Sequence, residues 1–285
     1  MMDYILSLKN ILDQLDFSEA AKSEVLLYIE KHFRYISSAA DKVYSNDEAA
    51  DPVMKMNNRT ALFVLMFKMV KLKLDYMIHG WPEKVMLDTL SDVALRQRLY
   101  FSRHGKLGLN REDRIWLKHI YKLEIFKFGA LQYEITHFKK LDWKGLTYKE
   151  DVFAKLSEGT PILNLHIRRG VDFSKAAVDL SFQLAEKFFS KYFPEHQFRA
   201  YTCNSWMLCP GNEVILDGNS NILDFYRRFE IVAESPDPKM ALTYIFGGRY
   251  RSKRDYPQDT KLQKSALEHL EQLGVGCGII MRVSK

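Results

Sequence analysis

The sequence predicts an α/β protein in which a helical N-terminal region precedes a mixed sheet flanked by helices. Up to about residue 128, apolar residues recur at the three- and four-residue spacing of helices. From Gly129 onward, short apolar or alternating segments typical of strands are separated by helical segments. Strands that alternate with helices indicate a layered α/β arrangement. We therefore expect two domains, residues 1–128 and residues 129–285.

Four helices are predicted in the first region, each with apolar residues on one side. Their starts are marked by residues that cap helices or by a proline that fits the first turn. The last of them has Trp116, Ile120 and Leu123 on its inner face. The predicted segments run from Ser18 through Ile36, from about Asp51 to His79, from Pro82 to about Ser102, and from Asn110 through Leu123.

The second region begins with strand-like alternation at Leu131, Tyr133 and Ile135. A second strand, Pro161 to Ile167, ends before Gly170, and a helix from about Ser174 to Phe193 follows at once. A further helix begins at Thr260, which has the spacing of a capping box with Gln263. The other predicted elements are strands at Phe198 to Thr202, Glu230 to Ala233 and Ile279 to Val283, and a short helix from Ser220 to Phe229.

Composition limits the classes of function. The net charge of +6 is divided evenly between the two halves, which does not indicate a nucleic-acid arm but is compatible with an anionic small ligand. Three cysteines form neither a disulfide framework nor a zinc pattern, so we expect a cytoplasmic protein without a metal. The acidic N-terminus does not resemble a signal peptide, and lysines interrupt the apolar stretch Ala61 to Ile78, so no membrane association is expected.

Three segments carry a resemblance to a known family. In the first, Asn219 is followed by Ile222 three residues later and Tyr226 seven residues later, just before a strand. The other two are residues 198–210 and residues 259–263. Together with the strand that ends at Ile167, they resemble the GNAT-like (GCN5-related N-acetyltransferase) C-terminal domain of a bacterial acyltransferase family. That family also has a helical N-terminal region, so the resemblance covers most of the chain.

The resemblance implies an acyl-CoA donor, with acetyl-CoA as the first expectation, and a small-molecule amine or peptide as acceptor. In GNAT proteins two parallel strands separate to hold the pantetheine arm, and the pyrophosphate lies at the start of the helix after the first strand. Free amides and the helix dipole favour an anion there. Mapped onto this chain, the strands are 163–167 and 198–202. The implied cofactor-binding residues are Arg168, Arg169, Gly170, Ser174 and Asn219.

The resemblance also assigns a catalytic role to Tyr226, as the acid that protonates the departing CoA thiolate. A phenol hydroxyl is neutral at pH 7 and can donate this proton. The amine must lose a proton before it attacks. His166, Glu134, Glu213 and Asp217 are candidate bases, and the sequence does not rank them.

Two alternative functions remain open. The glycines of the family's phosphate-binding pattern are replaced by Val171 and Phe173, and Asp172 adds a negative charge. These departures suggest a catalytically inactive binding or scaffold protein that keeps the fold. The basic run from Arg249 to Arg254, with Tyr250 between arginines, raises the weaker alternatives of a clamp for the CoA adenosine end and of RNA binding.

Overall fold

The computed structural model describes residues 1–44, 51–143, 145–149 and 152–282, without the side chains of residues 153 and 154. Val283, the predicted end of the last strand, therefore lies outside the described residues. The chain divides into two compact units, Met1–Phe128 and Gly129–Lys285. The predicted fold class is confirmed, because helices dominate the first unit and a mixed sheet flanked by helices forms the second.

The first unit is built around one long buried helix, α5. Its residues from Ala61 to Met69 are buried on nearly every side, apart from Lys68. The described elements of this unit are α1 (Met2–Asp13), α2 (Glu19–Lys31), α3 (Phe33–Lys42), α4 (Pro52–Lys55), α5 (Asn58–Ile78), α6 (Glu83–His104), α7 (Arg111–Tyr121) and the strand β1 (Ile125–Phe128). The helices α1, α3, α6 and α7 pack against α5.

Capping side chains set the helix boundaries in this unit. Ser18 accepts a hydrogen bond from the amide of Ala21, and Asn110 accepts one from the amide of Asp113, as predicted. The helix predicted from Ser18 through Ile36 is wrong, because it breaks at His32 into α2 and α3. The helix predicted from Asp51 is also interrupted, since the Asn57 side chain accepts the amide of Thr60 and starts a new helix there.

The inner face predicted for the fourth helix is partly wrong. Ile120 is buried, but its buried companions on α7 are Arg114 and Leu117. Trp116 is half-buried and donates its indole hydrogen to Asp92 at 2.6 Å. Leu123 lies beyond the helix with φ of 60°, so it takes no part in the helical face. Among the described residues, no helix is both long and apolar enough to cross a membrane.

The second unit contains a mixed sheet in which β4 and β5 are parallel neighbours. Its strands lie in the order β2-β4-β5-β7-β6-β3, and the other described pairings are antiparallel. The elements are β2 (Leu131–His137), β3 (Thr147–Tyr148), α8 (Val152–Lys155), β4 (Pro161–Ile167), α9 (Lys175–Tyr192), β5 (Ala200–Ser205), α10 (Asn212–Ile215), α11 (Asn221–Tyr226), β6 (Glu230–Ser235), α12 (Lys239–Phe246), α13 (Lys261–Glu268) and β7 (Val275–Met281).

Several elements of this unit agree with the predicted segments. Strands β2 and β4 and the helix α9 lie where alternation and capping place them, and Thr260 and Gln263 form the predicted capping box. β5 and β7 begin at positions different from those predicted, at Ala200 and Val275. The start of β7 differs from the prediction because its first half contains glycines and lacks a strand-like side-chain pattern. This half nevertheless pairs with β5 and β6.

The sheet has two unlike faces. On one face, the rings of Tyr133 and Tyr201 pack against Phe182 of α9, with centroids 6.1 Å and 5.0 Å away. On the other face, Phe138, Val152 and Leu156, which lie between β2 and β4 in the chain, form a buried cluster with Val232 and Ile279 of the sheet. Side chains alternate between these faces along each strand. Asn164, His166 and Thr202 therefore share the second face.

Candidate active site

The pairing between β4 and β5 ends before either strand does. Their ladder runs from Ile162 opposite Ala200 to Leu165 opposite Cys203. Beyond it, β4 stays paired with β2 as far as Ile167, and β5 stays paired with β7 as far as Ser205. Beyond Leu165 and Cys203, the two strands stay hydrogen-bonded to β2 and β7 but no longer to each other, so the distance between them must increase. The sheet therefore opens at the carboxyl ends of β4 and β5.

A hydrogen-bonded row of polar side chains crosses the sheet beside this opening. Glu134, Asn164 and Thr202 are register partners on three neighbouring strands. The Thr202 hydroxyl donates to Asn164 Oδ1 at 3.1 Å, and Asn164 Nδ2 donates to Glu134 Oε2 at 3.1 Å. His166 joins the row, with Nε2 at 2.8 Å from the same carboxylate oxygen. We call these four residues the polar row.

Two groups face His166 Nε2, the Glu134 carboxylate at 2.8 Å and the Asn164 side-chain amide at 3.2 Å, and the shorter contact indicates the tautomer of a neutral ring. A carboxylate can only accept hydrogen bonds, so a neutral His166 carries its proton on Nε2, facing Glu134, and its lone pair on Nδ1. His166 is also the first residue of β4 past the last β4–β5 pair. An imidazole in this tautomer, one residue past the end of the pairing, has the chemistry of a general base.

A cavity of about 220 Å³ lies against the same sheet face. Glu134, Asn164, Thr202 and Asn204 form its polar end. Its other walls are mainly apolar side chains of the sheet and of the segment after β2, namely Phe138, Leu141, Tyr148, Ile162, Val232, Cys277 and Ile279. Thr136, His137 and Lys139 line the cavity as well. Polar and apolar side chains therefore share its walls, and the polar row contributes three of them.

The turn between β4 and α9 contains four of the predicted cofactor-binding residues. Arg168 is half-buried, whereas Arg169 and Gly170 are exposed, with Gly170 in the left-handed region at φ of 76°. The Ser174 hydroxyl accepts the amide of Ala177 and so caps α9. The turn therefore presents two guanidinium groups and a helix start of the kind that binds anions.

Asp172 lies in the same turn and carries the opposite charge. Its Oδ1 accepts the amide of Ser174 at 2.9 Å, and hydrogen bonds from Ser174 hold the pKa of Asp172 below its ordinary value. One amide at the start of α9 is thus already used by a carboxylate. A phosphate at this turn has to share the site with that charge.

Helix α11 places Tyr226 near the same end of the sheet. The Phe225 ring contacts Phe173 of the turn before α9 at a centroid distance of 5.0 Å. Arg228, just after α11, pairs with Asp179 of α9, and α11 also packs against the short turn that follows β5. The turns leaving β4 and β5 and the Tyr226 helix therefore meet at the carboxyl ends of the parallel strands, where ligands of open α/β sheets bind.

The phenol of Tyr226 is protonated at neutral pH. The side chain is half-buried, and burial, followed by the nearby charge of Glu213, raises the pKa of Tyr226. A hydroxyl with a raised pKa stays protonated at neutral pH and so remains available as a hydrogen-bond and proton donor. It is therefore suited to donate to a thiolate.

Asn219 and two of the candidate bases do not belong to the polar row. Asn219 is exposed in a turn, and Ser220, not Asn219, caps α11 by accepting the amide of Ile222. The short helix therefore starts at Ser220 as predicted, and Asn219 lies one residue before its cap. Glu213 on α10 and Asp217 on the segment after it are exposed and form no hydrogen bond with the polar row, and Glu213 lies near Tyr226.

The three cysteines do not supply a nucleophile. All are buried, and burial raises the pKa of each thiol, that of Cys277 to about 12. A buried thiol that stays protonated behaves as a small apolar group. Within the described ranges, no group of three or more His, Cys, Asp or Glu side chains is arranged to hold a metal ion.

The basic run is also placed by the structure. Arg249, Arg251, Lys253 and Arg254 are exposed, on the loop after α12. Tyr250 donates its hydroxyl hydrogen to the carbonyl of Phe246 and lies 5.0 Å from the Tyr256 ring, so it packs against its own loop. This arrangement is that of a solvated basic loop.

Comparisons with known proteins agree with this fold. Residues 125–280 match a family model described as a GNAT-like C-terminal domain, and residues 7–123 match one described as an N-acyltransferase N-terminal domain. Comparison with curated proteins gave no match.

Similar solved structures are acyltransferases. One, in complex with decanoyl-CoA and teicoplanin, is 20% identical with a TM-score of 0.72, over 95% of this chain and 86% of that one. Another, a mutant in complex with octanoyl-CoA, is 19% identical with a TM-score of 0.72, over 96% and 87% of the two chains. At this identity the likeness shows a shared fold.

Proposed function

Because the chain belongs to the family defined by the GNAT-like C-terminal domain, we propose that it transfers an acyl group from acyl-coenzyme A to an amine. The observation that carries the proposal is the early end of the β4–β5 ladder at Leu165 and Cys203, with His166 directly beyond it. An opening of this kind can admit a thioester between two strands whose neighbours keep the rest of the sheet intact.

The phosphates are assigned to the turn after β4. Arg168 and Arg169 supply positive charge, and the start of α9 supplies its polarised amides. Ser174 contributes through the capped helix start. Asn219 has less support, because it is exposed and does not cap α11.

The polar row is assigned to proton removal. His166 accepts the proton that the neutral amine loses as it attacks, while Glu134 holds the ring and stabilises the imidazolium that forms. The amine nitrogen bonds to the thioester carbonyl carbon, and the resulting tetrahedral intermediate collapses with cleavage of the carbon–sulfur bond. The thiolate leaves and takes the Tyr226 hydroxyl proton, and the imidazolium proton then returns to the phenolate through solvent. The products are an amide and free CoA.

The proposal also specifies the length of the acyl group and the kind of amine that accepts it. The resemblance implies acetyl, but the cavity beside the polar row and the octanoyl and decanoyl ligands of the similar structures favour a longer chain. One of those structures contains teicoplanin, a glycopeptide. We therefore propose a small-molecule or peptide-like amine as acceptor, and no nucleic acid or membrane partner.

The test is release of free CoA thiol from octanoyl-CoA in the presence of a panel of amines that includes a glycopeptide. The proposal requires thiol release that depends on both an amine and the folded protein, with the amide found by mass spectrometry. Thiol release that no amine accelerates, for any acyl-CoA from acetyl to decanoyl, would contradict it.

One observation favours a second candidate, a binding module without turnover. Asp172 occupies an amide at the start of α9 and adds negative charge where the phosphates are assigned. A module of this kind would bind CoA or acyl-CoA but release no thiol with any amine. Binding and turnover measured on the same preparation therefore separate the two candidates.

A further inference from the structure

The opening between β4 and β5 has a polar side chain on each of its two sides. His166 of β4 and Asn204 of β5 are each the first residue past the last pair of the ladder. Each also comes two residues after a member of the polar row, Asn164 on β4 and Thr202 on β5. Because side chains alternate between the faces of a sheet, both belong to the face of the polar row. His166 and Asn204 therefore flank the opening on one face.

The backbone of Asn204 is held in the sheet. It pairs with Cys277 of β7, and β5 continues to Ser205, which pairs with Gly276. The Ser205 hydroxyl then accepts the amide of Met207 at 3.1 Å and so begins the turn after the strand. Asn204 is thus carried by a rigid strand, which is the kind of support that a precisely placed catalytic group needs.

The side chain of Asn204 is half-buried and lines the cavity beside the polar row. In the part of the chain that the structure describes, no group forms a hydrogen bond with its side-chain amide. Thr202, two residues earlier on the same face, is by contrast bonded to Asn164. A carboxamide carries two N–H donors on its nitrogen. Asn204 therefore has donors to offer to a molecule in the opening.

We infer that Asn204 is a further catalytic residue, whose Nδ2–H donates to the thioester carbonyl oxygen and stabilises the oxyanion that forms there. The inference rests on the proposed function, since it takes the thioester carbonyl to lie in the opening beside His166. As the amine nitrogen bonds to the carbonyl carbon, one electron pair of the carbonyl double bond moves onto the oxygen. The same pair restores the double bond when the carbon–sulfur bond breaks. Asn204 keeps its own protons throughout.

The chemistry of an amide suits this position. A hydrogen bond to a charged acceptor is stronger than one to a neutral acceptor, so Asn204 holds the oxyanion more tightly than the substrate carbonyl. An interaction that strengthens in this way raises kcat more than it raises affinity. The amide is also neutral, whereas a cation at this position would oppose the protonation of His166 across the opening.

Two replacements of Asn204 test the inference. Asn204→Leu removes both donors at similar size, and Asn204→Asp keeps the shape but can only accept hydrogen bonds at neutral pH. Octanoyl transfer to the best amine of the panel gives kcat, and calorimetry gives the Kd for octanoyl-CoA. For both variants kcat should fall by about 10²–10³-fold, the range for loss of one oxyanion donor. For Asn204→Leu the Kd should change by less than about threefold, since the ground-state carbonyl is neutral.

Two further variants serve as controls and should keep the kcat of the unaltered chain. Asn10→Leu makes the same replacement at an exposed position of α1. Thr136→Val removes a hydroxyl from the wall of the same cavity, but beside Ile162 at the start of β4, away from the opening. Thermal melting curves show whether each variant folds. If Asn204→Leu does not fold, Asn204→Asp decides the inference.

The outcomes separate this inference from the proposed function. If the unaltered chain transfers no acyl group, the proposed function fails and this inference with it. If the unaltered chain is active and the folded Asn204 variants keep its kcat, the inference is overturned while the proposed function stands. Weaker octanoyl-CoA binding by Asn204→Leu at an unchanged kcat also overturns it, because the amide would then only bind the donor. A loss of kcat at both replacements, with the controls unaffected, supports the oxyanion role.

Discussion

His166 Nε2 lies 2.8 Å from Glu134 Oε2 across two adjacent antiparallel strands, at the point where β4 loses its pairing with β5. Asn164 and Thr202 extend this contact into a row over three strands. Of the four candidate bases, which the sequence does not rank, the row brings two, His166 and Glu134, into hydrogen-bond contact. The pair lies next to the point where the described β4–β5 pairing ends, at Leu165 and Cys203.

His166→Gln should lower the rate of acyl transfer by about 10²–10⁴-fold, the range expected for loss of a general base. Affinity for acyl-CoA should change little, because the phosphates are assigned elsewhere. Steady-state kinetics and calorimetry measure the two quantities. His269→Gln, which removes a histidine near the end of α13, is the control and should keep the full rate. An unchanged rate for His166→Gln would remove the imidazole from the mechanism.

Tyr226→Phe should lower kcat by about 10²-fold or more, because the leaving thiolate then has no general acid. The ring and its packing remain, so the melting temperature and the KM for acyl-CoA should stay close to those of the unaltered chain. Tyr244→Phe, at an exposed position on α12, serves as the matched control. Equal kcat for both variants would leave Tyr226 with a packing role alone.

Asp172→Asn should tighten acyl-CoA binding several-fold at low salt. The asparagine Oδ1 can still accept the amide of Ser174, but the negative charge beside the assigned phosphates is gone. The gain should shrink as ionic strength rises, since exposed charges are screened. Calorimetry at two salt concentrations measures both effects.

Asp237→Asn provides the comparison for that experiment. Asp237 Oδ1 accepts the amide of Lys239 at 3.0 Å in the same local pattern, before α12. Its substitution should leave acyl-CoA affinity unchanged at either salt concentration. Weaker or equal binding by Asp172→Asn at low salt would contradict the assignment of phosphates to the turn after β4.

Gly276→Ala should destabilise the second unit by about 3 kcal/mol, the upper range for overpacking. A Cβ at Gly276 would collide with the carbonyl of Leu208, in the turn that follows β5 and packs against α11. Gly218→Ala, where nothing lies within 4 Å of the added carbon, should be nearly neutral. Urea denaturation of both variants provides the measurement, and equal midpoints would show that the turn can move away.

His196 gives the folded chain a pH-dependent stability. Burial lowers the pKa of His196, although the imidazole bonds to the carbonyl of Ile162, and the nearby His137 adds to the lowering. The unfolded chain therefore binds the proton more readily. This contribution is fully present above about pH 6.5, the ordinary pKa of histidine, and is lost as the pH falls below it through the lower pKa of the folded chain.

His196→Gln should therefore reduce the fall in unfolding free energy between about pH 7.5 and pH 5.5. Chemical denaturation at the two pH values measures the fall for the variant and for the unaltered chain. His269→Gln is again the comparison and should keep the full difference. If the unfolding free energy of His196→Gln decreased as much as that of the unaltered chain, or more, the folded chain would not favour the neutral form of His196.

Much of the fold could be predicted because local patterns agree with it. Caps at Ser18, Asn110 and Thr260 and the alternation in β2 each act within a few residues. β1, β3 and the glycine-containing start of β7 were missed, since their strand character depends on neighbours far along the chain. The break at His32 was missed for a related reason, because the apolar spacing continues across it.

The site was predictable only in part. The resemblance points to the turn after β4 and to Tyr226, and both lie at the carboxyl ends of the parallel strands; their roles stay predictions. The polar row could not be found from the sequence, because its members come from β2, β4 and β5 and meet only through register. Ser220, and not Asn219, caps α11, so the spacing of the motif does not identify the capping residue.

A crystal structure of the chain with coenzyme A tests the central claim most directly. We predict the sulfur between the ends of β4 and β5, beside His166, and the pyrophosphate at the turn from Arg168 to Ser174. Coenzyme A bound on another surface, with the space beyond Leu165 and Cys203 empty, would contradict the account.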